Sequence, residues 1–588
     1  MKINTESLLI KLKNGYDTLI LPSLTQDQQE VINPIVPPTS GIRMKILDHI
    51  DGEGSYEMFA WRQYMFFRVF KAVSEVAKKE LDKTQPGLLL VSDDRPTANY
   101  LLEYCAKIFA FDGYKIHFQK AVDPVSQQEA RKAPYYSRMG TPHGSASVAL
   151  CDEIDVVVVI TASHNSLIWN GIKFYIELPM PISGRIMQTV STQALSYTEI
   201  PLLSDFSVLY LDADKKNNDY IIDVVSRVLD LSPLHQKKIL FWPYMGRAPE
   251  FIDLFHRVGV EVVLIEKEMD PPNPTVFIDH DLIERKLIEE NARIAILLDA
   301  DRDRLVFIVR TPESNTFHTL LPNTLFTAMH NILASEFHKK IINVRTIPSD
   351  PRGDQSACLT ILTGVGYKHL GMIIYGALKI PIEPQKFETG ILYTRDPTLA
   401  QNRKISTLQE IHQLFTQSSI RGADVLMMLW EESGGHTINL VNIEESETDG
   451  KIRFLTPLPA IGDKYPAPAL LILSALIEQG YCLTDWIDQD IVGTRTMLDA
   501  TDARKVKIVE TFATLQGQPF AVGDEVYSVD TFEQVNGDVA IIHLHNAHTT
   551  IYFRPSGTGP GVRIYIFGRK STVEHELQTI KQKLDAMF

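Results

Sequence analysis

The strongest constraint on the fold is a pattern that repeats: a short apolar run, a polar turn, an amphipathic stretch, a glycine and a second apolar run. It spans LLLVSDDRPTANYLLEYCAKIFAFDGYKIHF, residues 88–118, where Gly113 closes the helical part. It returns in ILFWPYMGRAPEFIDLFHRVGVEVVLI, residues 239–265, with Gly259 in the same place. A weaker instance runs from IINVRTIPSD at Ile341 through SACLTILTGVGYKHL. Strand–helix–strand units of this length predict parallel α/β sheets with right-handed crossovers. The C-terminal part reads differently. DVAIIHLH and VRIYIFG alternate like half-exposed strands, and STVEHELQTIKQKLDAMF is an amphipathic helix, which predicts a small α+β unit.

A chain of 588 residues exceeds what one core organises. The expectation is three α/β domains with mixed or parallel sheets, over 1–205, 206–320 and 321–487, followed by an α+β domain over 488–588. No Gly/Ser tract marks a free linker, so the domains are expected to pack on one another.

Charge limits the partners. With 58 Lys and Arg against 73 Asp and Glu, the net charge of −15 gives no general attraction to nucleic acid or anionic membranes. An anionic ligand must therefore be held by local cations. No apolar run approaches the roughly 20 residues that cross a bilayer. MKINTESLLIKLKNG lacks the apolar core of a signal peptide, and a cytoplasmic protein is the simplest expectation. Cys105, Cys151, Cys358 and Cys482 are scattered without a CxxC pair, so reduced structural thiols are expected.

Four loops have the residue types that chemistry needs. In VVVVITASHN, Ser163 and His164 follow a buried strand, at the carboxyl end where ligands of parallel sheets gather. The alternative for Ser163 is a helix N-cap, and a helix after it would offer N–H groups to a phosphoryl group. The flanks Ala162 and Asn165 do not form the G-x-S-x-G elbow of serine hydrolases. In ILLDADRDRLVFIV, Asp299, Asp301 and Asp303 follow another apolar strand, and three carboxylates at alternate positions repel unless a cation gathers them. Arg304 and Arg310 stand where a calcium EF-hand needs Gly and Glu, which leaves Mg²⁺ as the expected ion. The alternative is a solvated acidic turn neutralised by Arg302 and Arg304. In VLMMLWEESGGH, the polar residues Glu431, Glu432, Ser433 and His436 suit the vicinal hydroxyls of a sugar and equally suit a strand-to-turn connection. In RPSGTGPGVRIYIFG, Arg554 and Arg563 bracket a loop rich in hydroxyls and glycine, which favours an anion site over a plain turn. It is neither a Walker A loop nor G-x-G-x-x-G.

Taken in order, the four loops resemble those of the α-D-phosphohexomutase family. PPTSGIR is similar to that family's GTSGLR, TASHNSLIWNGIK to TASHNPxxxNGxK, DADRDR to DGDGDR, EESGGH to E-x-S-G and RPSGTGPGVRIY to RPSGTEPKxRxY. LLLVSDDR, the GTP at Gly140 to Pro142 and LTGVGYKHLG extend the likeness over most of the chain.

The resemblance implies a heart-shaped arrangement of four domains around a central cleft, and a reversible phosphosugar mutase working through a phosphoserine and a bisphosphorylated intermediate. Glucose 1-phosphate and glucose 6-phosphate are the leading pair, with phosphomannomutase or phosphopentomutase activity as alternatives. Ser163 would carry the phosphoryl group, and Asp299, Asp301, Asp303 and a phosphoserine oxygen of Ser163 would hold one Mg²⁺. Arg43, His164, Lys173 and Arg304 would surround the reacting group. Glu431 and Ser433 would bind sugar hydroxyls, and Tyr367 and Lys368 would line a specificity loop. Arg554, Ser556, Gly557, Thr558 and Arg563 would grip the phosphate that is not transferred. Lys464, in GDKYPAPALLILSAL, aligns with a general base. Glucose 1,6-bisphosphate would serve as activator, and the protein would be a monomer or homodimer with no nucleic-acid or membrane partner.

Departures from the pattern are Ser166 for proline, Trp430 for glycine, Tyr465 for aspartate, and Gly559 and Gly561 for Glu and Lys. They motivate a competing reading, a catalytically silent sugar-phosphate-binding protein. The long stretch before GDKYP, including NIEESETDGK, is expected to be an inserted surface loop.

Overall fold

A computed structural model of the chain describes residues 2–33, 41–50, 54–182, 184–311, 313–380, 392–395, 403–405, 409–412, 420–532, 541–555 and 561–588. Within them the chain forms four sheets of five to seven strands and two small three-stranded sheets. The fold is mixed α/β with an antiparallel C-terminal unit, as the sequence patterns predict.

The first large sheet has the order Val208–Leu211, Lys115–Gln119, Gly87–Ser92, Val156–Ile160, Trp169–Ile176, Ile42–Lys45. Its first four strands run parallel, and Trp169–Ile176 returns antiparallel to both of its neighbours. All five residues of Val156–Ile160 are buried, as expected for a continuous aliphatic run covered on both faces. One cover is the 22-residue helix Ala60–Leu81, whose Phe66, Phe67, Phe70 and Val73 are buried with the helices Ala98–Phe111 and Gly184–Ser196 beside it.

In the second sheet Lys238–Pro243 pairs in parallel with Glu261–Leu264 and with Ile294–Leu298, and Leu305–Thr311 and Thr316–Leu320 follow antiparallel. In the third, Ile341–Thr346 is flanked in parallel by Leu359–Thr363 and Gly422–Trp430. Here the weaker strand–helix–strand reading is corrected. Only the 3-10 turn Pro351–Asp354, capped by Asp350, lies between its two strands, and the helix Tyr367–Leu378 comes after the second. A proline at the start of so short a stretch leaves no length for a crossover helix.

NIEESETDGK lies at the surface as expected, but it is not an irregular loop. It forms the end of a hairpin, with Asn442 opposite Leu455 and Glu445 opposite Ile452. The charges mask a period-two pattern in which Ile443, Ile452 and Phe454 are buried.

The fourth sheet is wholly antiparallel, in the order Ile491–Leu498, Val562–Arg569, Thr550–Pro555, Ile541–His545, Glu525–Phe532, Pro519–Val522. Helices Asp502–Thr514 and Val573–Met587 cover one face through Ile508, Phe512, Leu577 and Ile580. On the other face Ile541, Tyr552, Tyr565 and Phe567 pack on Ile347, Leu362 and Val365, which follow strands of the third sheet or lie within them. Val562–Arg569 is therefore buried on both sides, where the alternation alone predicts a half-exposed strand. Among the described residues no helix is long and apolar enough to cross a membrane.

One close approach joins the first and third sheets beside the loops of interest. A Cβ on Gly371 would lie 2.4 Å from the Gly462 carbonyl oxygen and 2.8 Å from Met180 Sδ. The Gly462 N–H itself donates to Pro179 O at 3.0 Å. Alanine is ordinarily better than glycine in a helix by about 1 kcal/mol. Here overpacking against a backbone oxygen, about 1–3 kcal/mol, reverses the sign. Gly371→Ala is expected to lower the urea unfolding midpoint, and a raised midpoint would refute the close packing.

Candidate active site

Ser163 sits just beyond Val156–Ile160 with φ +55°, a left-handed conformation that costs a non-glycine residue about 1–3 kcal/mol. No helix follows it. The chain turns over residues 161–168 and returns as the strand Trp169–Ile176, so neither the N-cap reading nor a helix dipole at Ser163 applies.

A side chain from another loop offsets the strain. Arg95 donates to the carbonyls of Ser163, Asn165, Ser166 and Trp169 at 2.6 to 2.9 Å, and pairs with the buried Asp93. Asp93 also accepts from Thr161, whose hydroxyl in turn accepts from the Ser163 N–H at 2.8 Å. The SDDR motif carries this clamp, a role that the motif's position alone does not reveal. Ser163 Oγ and His164 Nδ1 share a 3.2 Å hydrogen bond. Burial, then the Arg304 and Arg43 charges, hold His164 down to about 2, so its imidazole is neutral.

Asp299, Asp301 and Asp303 are buried, which removes the solvated-turn reading. Arg302 does not neutralise them, since it is directed to Asp94 and Glu250. Arg304 stays at 4.0 Å from Asp299 and 3.7 Å from Asp303. Among the described residues the closest cation to Asp301 and Asp303 is Lys173, from the strand after Ser163, at 2.6 Å and 3.2 Å. Thr141 of the GTP stretch donates its hydroxyl to Asp301 at 2.9 Å, another partnership that the motifs do not reveal. Burial and the Asp301 and Asp303 charges push Asp299 well up. Asp303 is held down against its burial by Lys464, Lys173 and Arg304.

The cluster fits a hard divalent cation. Asp299 Oδ2, Asp301 Oδ1 and Asp303 Oδ1 are buried and, among the described residues, have no hydrogen-bond partner. One ligand atom from each aspartate lies within 4.8 Å of the other two. Unpartnered buried carboxylate oxygens are costly unless a cation takes them up.

The third sheet contributes Glu431, Ser433 and Lys464. Lys464 Nζ lies 2.8 Å from Glu431 Oε1 and 3.5 Å from Asp303 Oδ2, and Ser433 Oγ donates to the same Glu431 oxygen. Gly435 permits this approach, because a Cβ there would meet the Lys464 Cδ at 2.8 Å. Glu432 ties the loop to the fourth sheet, accepting from Thr346 at 3.3 Å and from Tyr565 at 3.2 Å. Trp430 is directed away into the core, its indole N–H donating to Asn343 at 2.8 Å, so this departure does not intrude on the loop. The hydroxyl of the buried Tyr367 is committed to Leu429 O at 2.8 Å and Thr437 at 2.6 Å, and Lys368 beside it is also buried.

Arg554 and Arg563 are directly opposed in register on neighbouring strands. Like charges in that position destabilise a sheet unless an anion sits between them. Ser556, Gly557, Thr558 and Gly559, expected in the phosphate loop, lie outside the described residues, as do Thr39 and Ser40 of PPTSGIR. Gly561 is obligatory in this backbone, because a Cβ would lie 2.7 Å from Leu498 O, and a lysine cannot stand there. His164, Arg304, Ser433, Glu432, Arg563 and Tyr565 line one cleft of about 1060 Å³. That volume is ample for a phosphorylated sugar.

Asp463, next to Lys464, is buried and accepts from Tyr175 OH at 2.7 Å. Burial raises its carboxyl to about 6, with Lys173 and the Tyr175 bond opposing. Because the folded value lies above the unfolded one of about 3.9, the folded state keeps a proton that the unfolded chain releases. The resulting cost is absent below about pH 4, grows to about pH 6 and is then constant, with an upper bound near 3 kcal/mol. Asp463→Asn keeps an acceptor for Tyr175. It is expected to unfold later than the parent at neutral pH, with the difference closing towards about pH 4. A pH-independent difference in midpoint would refute this.

Comparison with known proteins gives three kinds of match. Residues 37–200 match the family model described as phosphoglucomutase/phosphomannomutase, alpha/beta/alpha domain I. Phosphoglucosamine mutase 2 of Shewanella frigidimarina is 28% identical over 247 residues, 40% of this chain and 50% of that protein. The chain thus spans about half the length of such curated relatives. The open form of pp63/parafusin, a Paramecium phosphoglucomutase, superposes with a TM-score of 0.60 at 14% identity, covering 96% of each chain. A phosphoglucomutase/phosphomannomutase family protein of Burkholderia thailandensis gives 0.58 at 16% identity over 95% and 97% of the two chains. At these identities the structural matches establish the fold.

Proposed function

We propose that the chain is a member of the α-D-phosphohexomutase family, a phosphosugar mutase that moves a phosphoryl group reversibly between C1 and C6 of a hexose phosphate; the domain I match, the curated relatives and the shared fold support this reading. The observation that carries the proposal is the position of Asp303. It meets Lys173 from the strand after Ser163 and Lys464 from the segment that holds Glu431, so one carboxylate links the phosphoryl, metal and sugar loops.

In this reading the bond from phosphorus to Ser163 Oγ breaks as a bond forms to the free hydroxyl of the sugar monophosphate, and the proton that this hydroxyl loses is balanced by the one that the freed Oγ takes up; the second transfer reverses the exchange. The bisphosphate turns over in the cleft, and its other phosphoryl group returns to Oγ. His164, neutral and hydrogen-bonded to Oγ, orients the serine between transfers. Arg43, Lys173 and Arg304 stabilise charge on the transferring oxygens, which together with positioning accounts for most of the catalysis in phosphoryl transfer. Asp299, Asp301 and Asp303 would hold Mg²⁺, which when bound supplies further neutralisation of that charge.

Lys464 is kept protonated by Asp303 and Glu431 despite its burial. We therefore assign it first to holding Glu431 in place for sugar hydroxyls; the general-base role expected from its alignment requires those ion pairs to break. Arg554 and Arg563 would grip the distal phosphate, with Ser556, Gly557 and Thr558 between them. Tyr367 and Lys368 would form the wall of the specificity loop.

Glucose 1-phosphate is the leading substrate. Mannose, pentose and glucosamine phosphates are the alternatives, the last because a relative is a phosphoglucosamine mutase. The domain division near 205, 320 and 487, with the edge strand Val208–Leu211 kept in the first domain because it pairs with Lys115–Gln119, a cytoplasmic location, and activation by glucose 1,6-bisphosphate belong to the same proposal. Coupled assays with each sugar 1-phosphate and Mg²⁺, together with intact-mass measurement, test it. One phosphoryl group per chain that disappears on mixing with substrate, and turnover of at least one sugar phosphate, are expected. A chain that binds sugar phosphates without turnover or phosphoserine would be the silent protein instead.

A further inference from the structure

The antiparallel C-terminal sheet carries a second set of metal-ligating side chains, outside the site described above. Asp530 on Glu525–Phe532 and His543 on Ile541–His545 are directly opposed in register. His545 lies two residues along the same strand, so all three side chains emerge on one face. It is the face that Ile541 and Tyr552 present to Ile347 and Leu362, opposite the helices.

The geometry is that of a metal clamp. His545 Nε2 lies 3.0 Å from Asp530 Oδ2, and His543 Nδ1 lies 3.7 Å from the same oxygen. One ligand atom from each residue lies within 4.8 Å of the other two. A tetrahedral ion with bonds of about 2.0–2.1 Å spaces its ligand atoms roughly 3.3–3.4 Å apart, between the two measured separations. The His543 ring is stacked between His545, at 4.7 Å, and Tyr552, at 4.8 Å, which fixes its orientation in advance. The Asp530 and His545 side chains retain 49% and 39% exposure, which leaves an approach from solvent.

We propose that Asp530, His543 and His545 form a site for a transition-metal ion of the zinc class. Two imidazoles and one carboxylate favour Zn²⁺ over Mg²⁺, which demands oxygen ligands in octahedral array. Three protein ligands leave a fourth position for water. The ion cross-links Glu525–Phe532 to Ile541–His545 on the face where the fourth sheet meets the third. It differs in chemistry from the all-carboxylate cluster at Asp299, Asp301 and Asp303, and it does not depend on the mutase reading.

The test uses the full chain, stripped with a chelator and then held in excess Mg²⁺, titrated with Zn²⁺ by calorimetry and with Co²⁺ by visible absorption. One equivalent of Zn²⁺ is expected in the parent protein and in Asp301→Asn. In both His545→Ala and Asp530→Asn its affinity should fall by at least roughly tenfold, the least that loss of a metal-orienting partner costs. The visible band of low-coordinate Co²⁺ should disappear in the same two variants. Both replaced side chains are partly exposed, and an unchanged unfolding midpoint without metal checks that the fold survives. No Zn²⁺ uptake by the parent under excess Mg²⁺, or full affinity in either variant, overturns the proposal and leaves a hydrogen-bonded His–Asp pair.

Discussion

Ser163→Ala is expected to lose the phosphoserine entirely and to lower kcat by on the order of 10⁴-fold or more, the scale seen when a nucleophile is removed from an otherwise intact site. The fold should survive. Arg95 holds the loop through backbone carbonyls, and the N–H of residue 163 still donates to Thr161. The substitution removes one side-chain hydrogen bond, to His164, worth about 1 kcal/mol. Binding of the sugar monophosphate should change little, because nothing in the cation set is altered. The decisive measurement is intact mass after incubation with sugar bisphosphate, alongside the coupled assay. Turnover near that of the parent would exclude Ser163 as the phosphoryl carrier and with it the proposed mechanism.

Lys173→Met is expected to destabilise the metal-free protein by about 3–5 kcal/mol, the usual cost of removing one partner from a buried ion pair. Two carboxylates, Asp301 and Asp303, lose their closest cation, and neither has access to water. A divalent ion bound to the same aspartates replaces that charge. Saturating Mg²⁺ should therefore raise the unfolding midpoint of the variant more than that of the parent, since a ligand that binds the folded state alone stabilises it by mass action. Equal losses with and without Mg²⁺ would show that Lys173 acts only through packing and that the aspartates do not gather a cation.

The parts of the site that the chain makes locally are legible in the sequence. Val156–Ile160, Ile294–Leu298 and Gly422–Trp430 each end in a loop where a chemical residue is expected, because an apolar run that stops at polar residues marks a buried strand reaching a sheet edge. Two local readings fail for local reasons. The residues after TASHN form a strand that pairs back on Val156–Ile160, and pairing, unlike helix periodicity, leaves no mark within the segment itself. NIEESETDGK conceals strand ends beneath surface charge.

Other features need partners remote in the chain. Arg95 is 68 residues from Ser163, and Lys173 is 128 residues from Asp301. The direction of Arg302, away from the aspartates beside it and towards Asp94, cannot be read from adjacency. The two arginines Arg554 and Arg563 look like the ends of a loop in the sequence and come directly opposite each other only through strand register.

The sequence by itself determined the kinds of unit in this protein and which loops hold carboxylates, hydroxyls and cations, because burial patterns and turn chemistry are properties of short segments. The tertiary structure alone decided which charges meet. Electrostatic pairing depends on distance and on exclusion of water, and both are set by packing between segments that lie far apart in the chain. Asp303 is one residue of an acidic run in the sequence; folded, it is where Lys173 and Lys464 converge.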